Sequence, residues 1–255
     1  VEAYATATQV YAAGLVFARI ASMVMLMPGV GEQSVPPRIR LSFALLMSMV
    51  LSPLTAANVI VPAAMGDVGA QVIREILIGL TIGMMLRLFL SALAVAGEVV
   101  SIQTTLGFAQ TTNPMLGQPN ATLSTFLSLI GVVLVMTTDL HHMFIGAMVN
   151  SYNLFPLDKA SMPIGDAATL AVRTVAGSFA LGIQLSAPVI VFSLVFNMAA
   201  GLVGRVMPQF QIYFVSSPLA VIFGLSLFAL SLGVVGMVWV NSYREMLSVF
   251  AGRGG

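Results

Sequence analysis

The sequence predicts an all-α, membrane-type fold built from helical hairpins, and three observations carry that expectation. Hydrophobic residues make up 58% of the 255 residues and charged residues only 7%, with a mean hydropathy of +1.01, far outside the composition of soluble domains. The apolar residues fall into six long stretches, which is a minimum count of helical segments. Between the stretches lie short segments punctuated by Pro, Gly, Asn or Asp, with no inserted soluble domain.

The first stretch runs from Tyr4 to Met27 and closes on Pro28 and Gly29. It is longer than the core of a signal peptide and has no basic residue ahead of it, so it reads as retained structure. The second, Leu41 to Val61, follows PGVGEQSVPPR, and the third, Val68 to Ala96, follows VPAAMGD with Asp67 as its expected N-cap. The fourth, Leu123 to Val149, follows the uncharged segment LGFAQTTNPMLGQPN (106–120). The fifth, Ala171 to Leu202, follows NLFPLDKASMPIGD with Asp166 as N-cap, and Pro188 near its middle predicts a kinked or hairpin-like helix. The sixth, Val215 to Val240, follows RVMPQFQ, where Pro208 stops the preceding helix and the Arg205 guanidinium can cap its open carbonyls. Each stretch exceeds the roughly 20 residues that cross a hydrocarbon core. Arg38, Arg40 and Arg205 put the loops before the second and sixth stretches in the cytoplasm by charge, whereas Arg244 and Arg253 oppose that orientation, so topology stays open.

Several function classes are excluded at this level. The net charge of +1, with no run of Lys or Arg, gives no nucleic-acid signature, and zero cysteines remove disulfide and thiolate chemistry. No nucleophile-and-base order, phosphate loop or dinucleotide fingerprint appears, so neither an enzyme nor a cofactor is expected. Asp139 and His142 of TTDLHHMF stand three apart and would share a helix face, but a metal site needs a third ligand, and a polar helix end is the preferred reading. Gly79 with Gly83, and Gly201 with Gly204, suit close helix packing.

Arg19, Arg74, Glu75, Arg87, Glu98 and Asp139 lie within or at the ends of apolar stretches, where a lone charge at mid-bilayer costs roughly 2.5–3.5 kcal/mol even on insertion scales. They need partners. Arg87 and Glu98 share a face but stand about 16 Å apart along a helix, too far to pair. Either they form a polar stripe toward other subunits or a wet lumen, or they snorkel at helix ends.

Three spaced motifs then give a resemblance. Phe17-Ala18-Arg19 with Met27-Pro28-Gly29 and Val35-Pro36-Pro37-Arg38-Ile39-Arg40-Leu41 comes first; Ala96-Gly97-Glu98, Gln103 and Gly107-Phe108-Ala109 come second; Gly201-Leu202, Arg205-Val206-Met207-Pro208-Gln209 and Phe214 come third. In that order they resemble the signatures of the FliR family of flagellar type III export-gate subunits, over nearly the whole chain. One departure is Asn113-Pro114, where the family usually carries Asp-Pro.

The resemblance implies a gate subunit that assembles with FliP and FliQ, and with FlhB and FlhA nearby, around the path of exported unfolded proteins, in the inner membrane at the flagellar basal body. It divides the chain into FliP-like hairpins (1–165) and a FliQ-like hairpin with the C-terminal tail (166–255). Many helices would then be tilted within a protein complex rather than in lipid. It also makes the segment from Leu106 through Gly107, Phe108, Ala109, Gln110, Thr111, Thr112, Asn113, Pro114, Met115 and Leu116 to Gly117 a channel plug. Phe108, Met115 and Leu116 suit filling a lumen, while the amides and hydroxyls tolerate water. Arg87, Glu98, Gln103, Arg205 and Gln209 become intersubunit polar contacts. The alternatives are a virulence-type gate subunit and a small-molecule or ion transporter, although the matched midplane breaks of a transporter are not evident.

Overall fold

The computed structural model describes residues 7–32, 34–55, 59, 61–107, 122–157, 164–209 and 211–251. Among them are seven helices and no strand: α1 Ala7–Leu26, α2 Pro37–Thr55, α3 Met65–Gln103, α4 Thr122–Thr137, α5 Leu140–Leu154, α6 Ile164–Val206 and α7 Ile212–Ala251. The all-α, membrane-type fold is the one the composition predicts. Among the described residues four helical stretches are long and apolar enough to cross a membrane, Ala7–Leu26, Met65–Gln103, Ala168–Val206 and Phe214–Ser248, and the bent pair α4 and α5 makes a fifth if taken as one span.

Three details of the six apolar stretches differ from the sequence expectation. The fourth is broken into α4 and α5 with a bend of 75°, since Asp139 adopts the left-handed conformation (φ 59°) and ends regular helix. The fifth is one 43-residue helix that runs through Pro188, which sets aside the hairpin-like one of its two expected forms. Asp67 and Asp166 fall inside their helices, which start at Met65 and Ile164, so neither is an N-cap. At 1.5 Å per residue α3, α6 and α7 are each roughly 60 Å long, about twice the thickness of a hydrocarbon core.

The chain forms two compact units. The first comprises 1–89, 135–175 and 243–255. Here α1 buries Ala12, Leu15, Val16, Arg19, Ile20, Met23 and Val24, the i, i+3, i+4 spacing of one helix face. α3 meets that face through Gly79 and Gly83: a Cβ at Gly79 would strike Ser22 Oγ and the Arg19 carbonyl, and one at Gly83 would lie 2.9 Å from Leu26 Cβ. This is the close packing their i, i+4 spacing suggested. Tyr243, fully buried, donates to the Leu86 carbonyl (2.9 Å) and packs its ring on Phe89 and Phe144, at centroid distances of 5.7 and 5.9 Å. Asn150 Nδ2 donates to the Phe250 carbonyl (2.7 Å), so the end of α7 joins α5.

The second unit comprises 90–134 and 176–242. The C-terminal part of α3 is its centre, with Ala92, Leu93, Ala96 and Val100 buried. Helix α4 crosses so close at Gly97 that a Cβ there would sit 2.6 Å from the Leu123 carbonyl oxygen and Ser124 Cα. α6 approaches through Gly182, whose added Cβ would lie 3.0 Å from the Ala92 carbonyl oxygen. Gly201 and Gly204 depart from the packing expected of them: nothing lies within 4 Å of a Cβ at Gly201, and Gly204 would meet only Ile212 Cγ2 at 3.9 Å among the described residues. Leu194, Val195, Met198, Leu202 and Val206 on α6, and Phe214, Ile222 and Leu230 on α7, are exposed. Such apolar surface belongs against lipid or protein.

Candidate functional site

The motif residues at the end of α3 form a polar turn that launches the 106–120 segment. Gln103 is the last helical residue, and its Oε1 accepts a 2.7 Å hydrogen bond from Ser193 Oγ of α6. Thr104, buried, turns its hydroxyl back to the Val100 carbonyl (2.8 Å), and its methyl group lies where Gly224 of α7 leaves room. Thr105 follows with φ 59°, a conformation that costs a β-branched residue about 1–3 kcal/mol. Two contacts hold it there: its hydroxyl is 3.3 Å from Ser217 Oγ of α7, and Gly107 N donates to the Ser101 carbonyl (3.0 Å). Beneath the turn Ser101 Oγ is buried without a hydrogen-bond partner among the described residues. The chain therefore leaves α3 through a turn tied to both α6 and α7. Hydroxyls and one amide exchange readily with water, so the turn suits anchoring a segment rather than covalent chemistry.

Of the expected plug residues, Leu106 and Gly107 belong to this turn and are half-buried. Phe108, Ala109, Gln110, Thr111, Thr112, Asn113, Pro114, Met115, Leu116 and Gly117 lie outside the described residues. Of the five expected intersubunit contacts, Arg87 lies in the first unit and Glu98, Gln103, Arg205 and Gln209 in the second. Arg87, in the first unit, stands 4.0 Å from Glu32, with both side chains partly exposed. Its acceptor within the chain comes from the loop after α1 rather than from a helix. Glu98 is exposed on α3, and Arg205 and Gln209 are exposed at the end of α6. Gln103 accepts from Ser193 within the chain.

A second polar constellation, in the first unit, was visible in the sequence only as charges in need of partners. Arg19 on α1 is fully buried and donates through Nε to Glu75 Oε2 of α3 at 2.6 Å. Its two terminal nitrogens donate to the Ser151 carbonyl (3.0 Å) and the Phe155 carbonyl (2.8 Å) at the end of α5. Its guanidinium carbon lies 4.2 Å from the centroid of the Tyr152 ring. Arg74 adds a donor to the Pro156 carbonyl (3.0 Å) and stands 3.7 Å from Glu75 Oε1. Two cations thus meet one carboxylate and the negative end of a helix dipole, and each of the three guanidinium nitrogens of Arg19 donates a hydrogen bond. Arg19 belongs to the Phe-x-Arg motif, which was the available signal. Its partners are 56, 132 and 136 residues away, which no local pattern reveals.

The profile of the family "Bacterial export proteins, family 1" matches residues 10–246. A flagellar biosynthetic protein FliR from Caulobacter vibrioides is 60% identical over 249 residues, covering 97% of this chain and 99% of that relative. The FliR proteins of Escherichia coli and Bacillus subtilis are 28% and 23% identical, over 91% and 90% of this chain and 88% and 89% of theirs.

Proposed function

The chain belongs to family 1 of the bacterial export proteins, and from that membership we propose that it is a subunit of the flagellar type III protein export gate in the bacterial inner membrane. In this reading it assembles with FliP and FliQ, close to FlhB and FlhA at the basal body, to form the channel for unfolded flagellar proteins. The observation that carries it is the 60% identity to a flagellar FliR over 97% of the chain. That relative's flagellar name also favours this system over a virulence gate.

The geometry supports the reading in two ways. Helices about 60 Å long with exposed apolar faces are too long for lipid alone to cover and suit burial among neighbouring subunits. The turn at Gln103–Gly107 anchors the start of an uncharged segment rich in Gly and Pro, and such backbone is tolerated at membrane depth only inside protein or beside water. We assign 106–117 as the plug, 1–165 as the FliP-like hairpins, 166–255 as the FliQ-like hairpin, and Arg87, Glu98, Gln103, Arg205 and Gln209 as intersubunit contacts.

The test is co-expression with FliP and FliQ beside complementation of a strain lacking its own copy. The proposal requires a stable three-component complex and restored swimming. A chain that purifies alone, ignores both partners and leaves the strain non-motile would sink it in favour of an independent transporter.

A further inference from the structure

At the break between α4 and α5 the structure collects three metal-ligating side chains, Asp139, His141 and His142. Asp139 occupies the N-cap position of α5 in the left-handed conformation, yet its carboxylate makes no capping hydrogen bond. It lies instead 3.5 Å from Nδ1 of His142. The next imidazole, His141, is drawn to the same place, with its ring centroid 4.1 Å from that of His142. One ligand atom from each of Asp139, His141 and His142 lies within 4.8 Å of the others. His141 Nδ1 is buried without a hydrogen-bond partner among the described residues, so no protein acceptor fixes that nitrogen.

We propose that Asp139, His141 and His142 form a binding site for a divalent transition-metal ion of the zinc, nickel or cobalt type. Two imidazoles and one carboxylate are ligands for such ions, whereas magnesium and calcium prefer oxygen sets. Metal–nitrogen bonds of about 2.0–2.1 Å place tetrahedral ligand atoms about 3.3 Å apart. The three groups therefore have to close by up to about 1.5 Å, which side-chain rotation supplies, because Asp139 and His142 are 78% and 68% exposed. The remaining coordination positions face outward and are left to water. Bound there, the ion would bridge the left-handed residue and the first turn of α5, and so hold the 75° bend. The left-handed backbone at Asp139 is what brings His141 into the set as a third ligand.

The test uses the chain purified in detergent without a polyhistidine tag and titrated calorimetrically with Zn²⁺, Ni²⁺ and Mg²⁺. One Zn²⁺ or Ni²⁺ per chain is expected, with no heat attributable to Mg²⁺. His142→Ala and His141→Ala should each weaken binding by at least about 10-fold, the lower end of what loss of a supporting group costs a metal site. Asp139→Asn removes the anionic ligand while keeping a residue that accepts the left-handed backbone, and should weaken binding without altering elution on size exclusion. His142 is exposed, so its substitution leaves the fold intact and keeps the test decisive. Absence of Zn²⁺ or Ni²⁺ binding by the parent chain, or undiminished binding by His142→Ala, would overturn the proposal and leave an exposed His–Asp ion pair.

Discussion

The buried Arg19 gives the sharpest test of how the first unit is held together. Arg19→Met keeps most of the side-chain volume but removes the cation from Glu75 and two donors from the carbonyls of Ser151 and Phe155. Breaking a buried pair from one side costs about 3–5 kcal/mol, because the other charge stays buried without compensation. Arg74, 3.7 Å from Glu75 Oε1, offsets part of this, so the lower end, about 3 kcal/mol, is expected. Each 1.4 kcal/mol is tenfold, which makes the loss roughly 100-fold in the folding equilibrium. Arg19→Met with Glu75→Gln removes the orphaned charge and should recover about a third of it, leaving the cost of the two open carbonyls at about 1 kcal/mol each. Arg19→Lys keeps the charge but, as a point donor, cannot serve Glu75 and both carbonyls in the same fork geometry, and should fall between parent and Arg19→Met. The assay is denaturant unfolding of the purified variants in one detergent, read as a double-mutant cycle. If Arg19→Met is no less stable than the double variant, Glu75 is not left as an uncompensated charge and the argument fails.

Gly97→Ala should lower the yield of folded chain, because its Cβ would meet backbone of α4 at 2.6 Å and forced overpacking costs about 1–3 kcal/mol. Gly201→Ala, with open space around it, should be neutral or slightly stabilising in the same expression and melting assays; equal losses at the two positions would contradict the packing described. Replacing 107–117 with a Gly/Ser linker should leave the complex with FliP and FliQ intact in a pull-down while admitting ions or dye, and Phe108→Ala and Met115→Ala should leak less. An intact complex as tight as the parent would make the segment a simple connector. Glu98→Leu, at an exposed position of the single chain, should weaken co-purification with FliP and FliQ without changing the chain's own melting; unchanged complex yield and unchanged swimming would remove it from the intersubunit contacts.

Much of this protein is determined by its sequence, and the reasons are local. Hydropathy fixes that the chain is a membrane-type bundle, because 20 or more consecutive apolar residues have few other stable destinations. Pro208 and Pro28 mark true helix ends, since each follows a helix that stops within two residues of it, and the Gly79 to Gly83 spacing correctly reports two helices in contact. The spaced motifs identify the family before any coordinates exist. Tertiary structure decides what depends on pairing across the chain. Whether a proline breaks a helix is set by its neighbours: α6 runs through Pro188, although the proline has no N–H for the Gln184 carbonyl one turn before it. Which charge answers Arg19, which glycine admits a crossing helix, and that Asp139 turns left-handed and gathers His141 with His142 are all set by groups far apart in sequence or by a single backbone angle. Hydrophobic periodicity reports which face of a helix is apolar, and it carries no information about the partner that the buried polar groups on that face will meet.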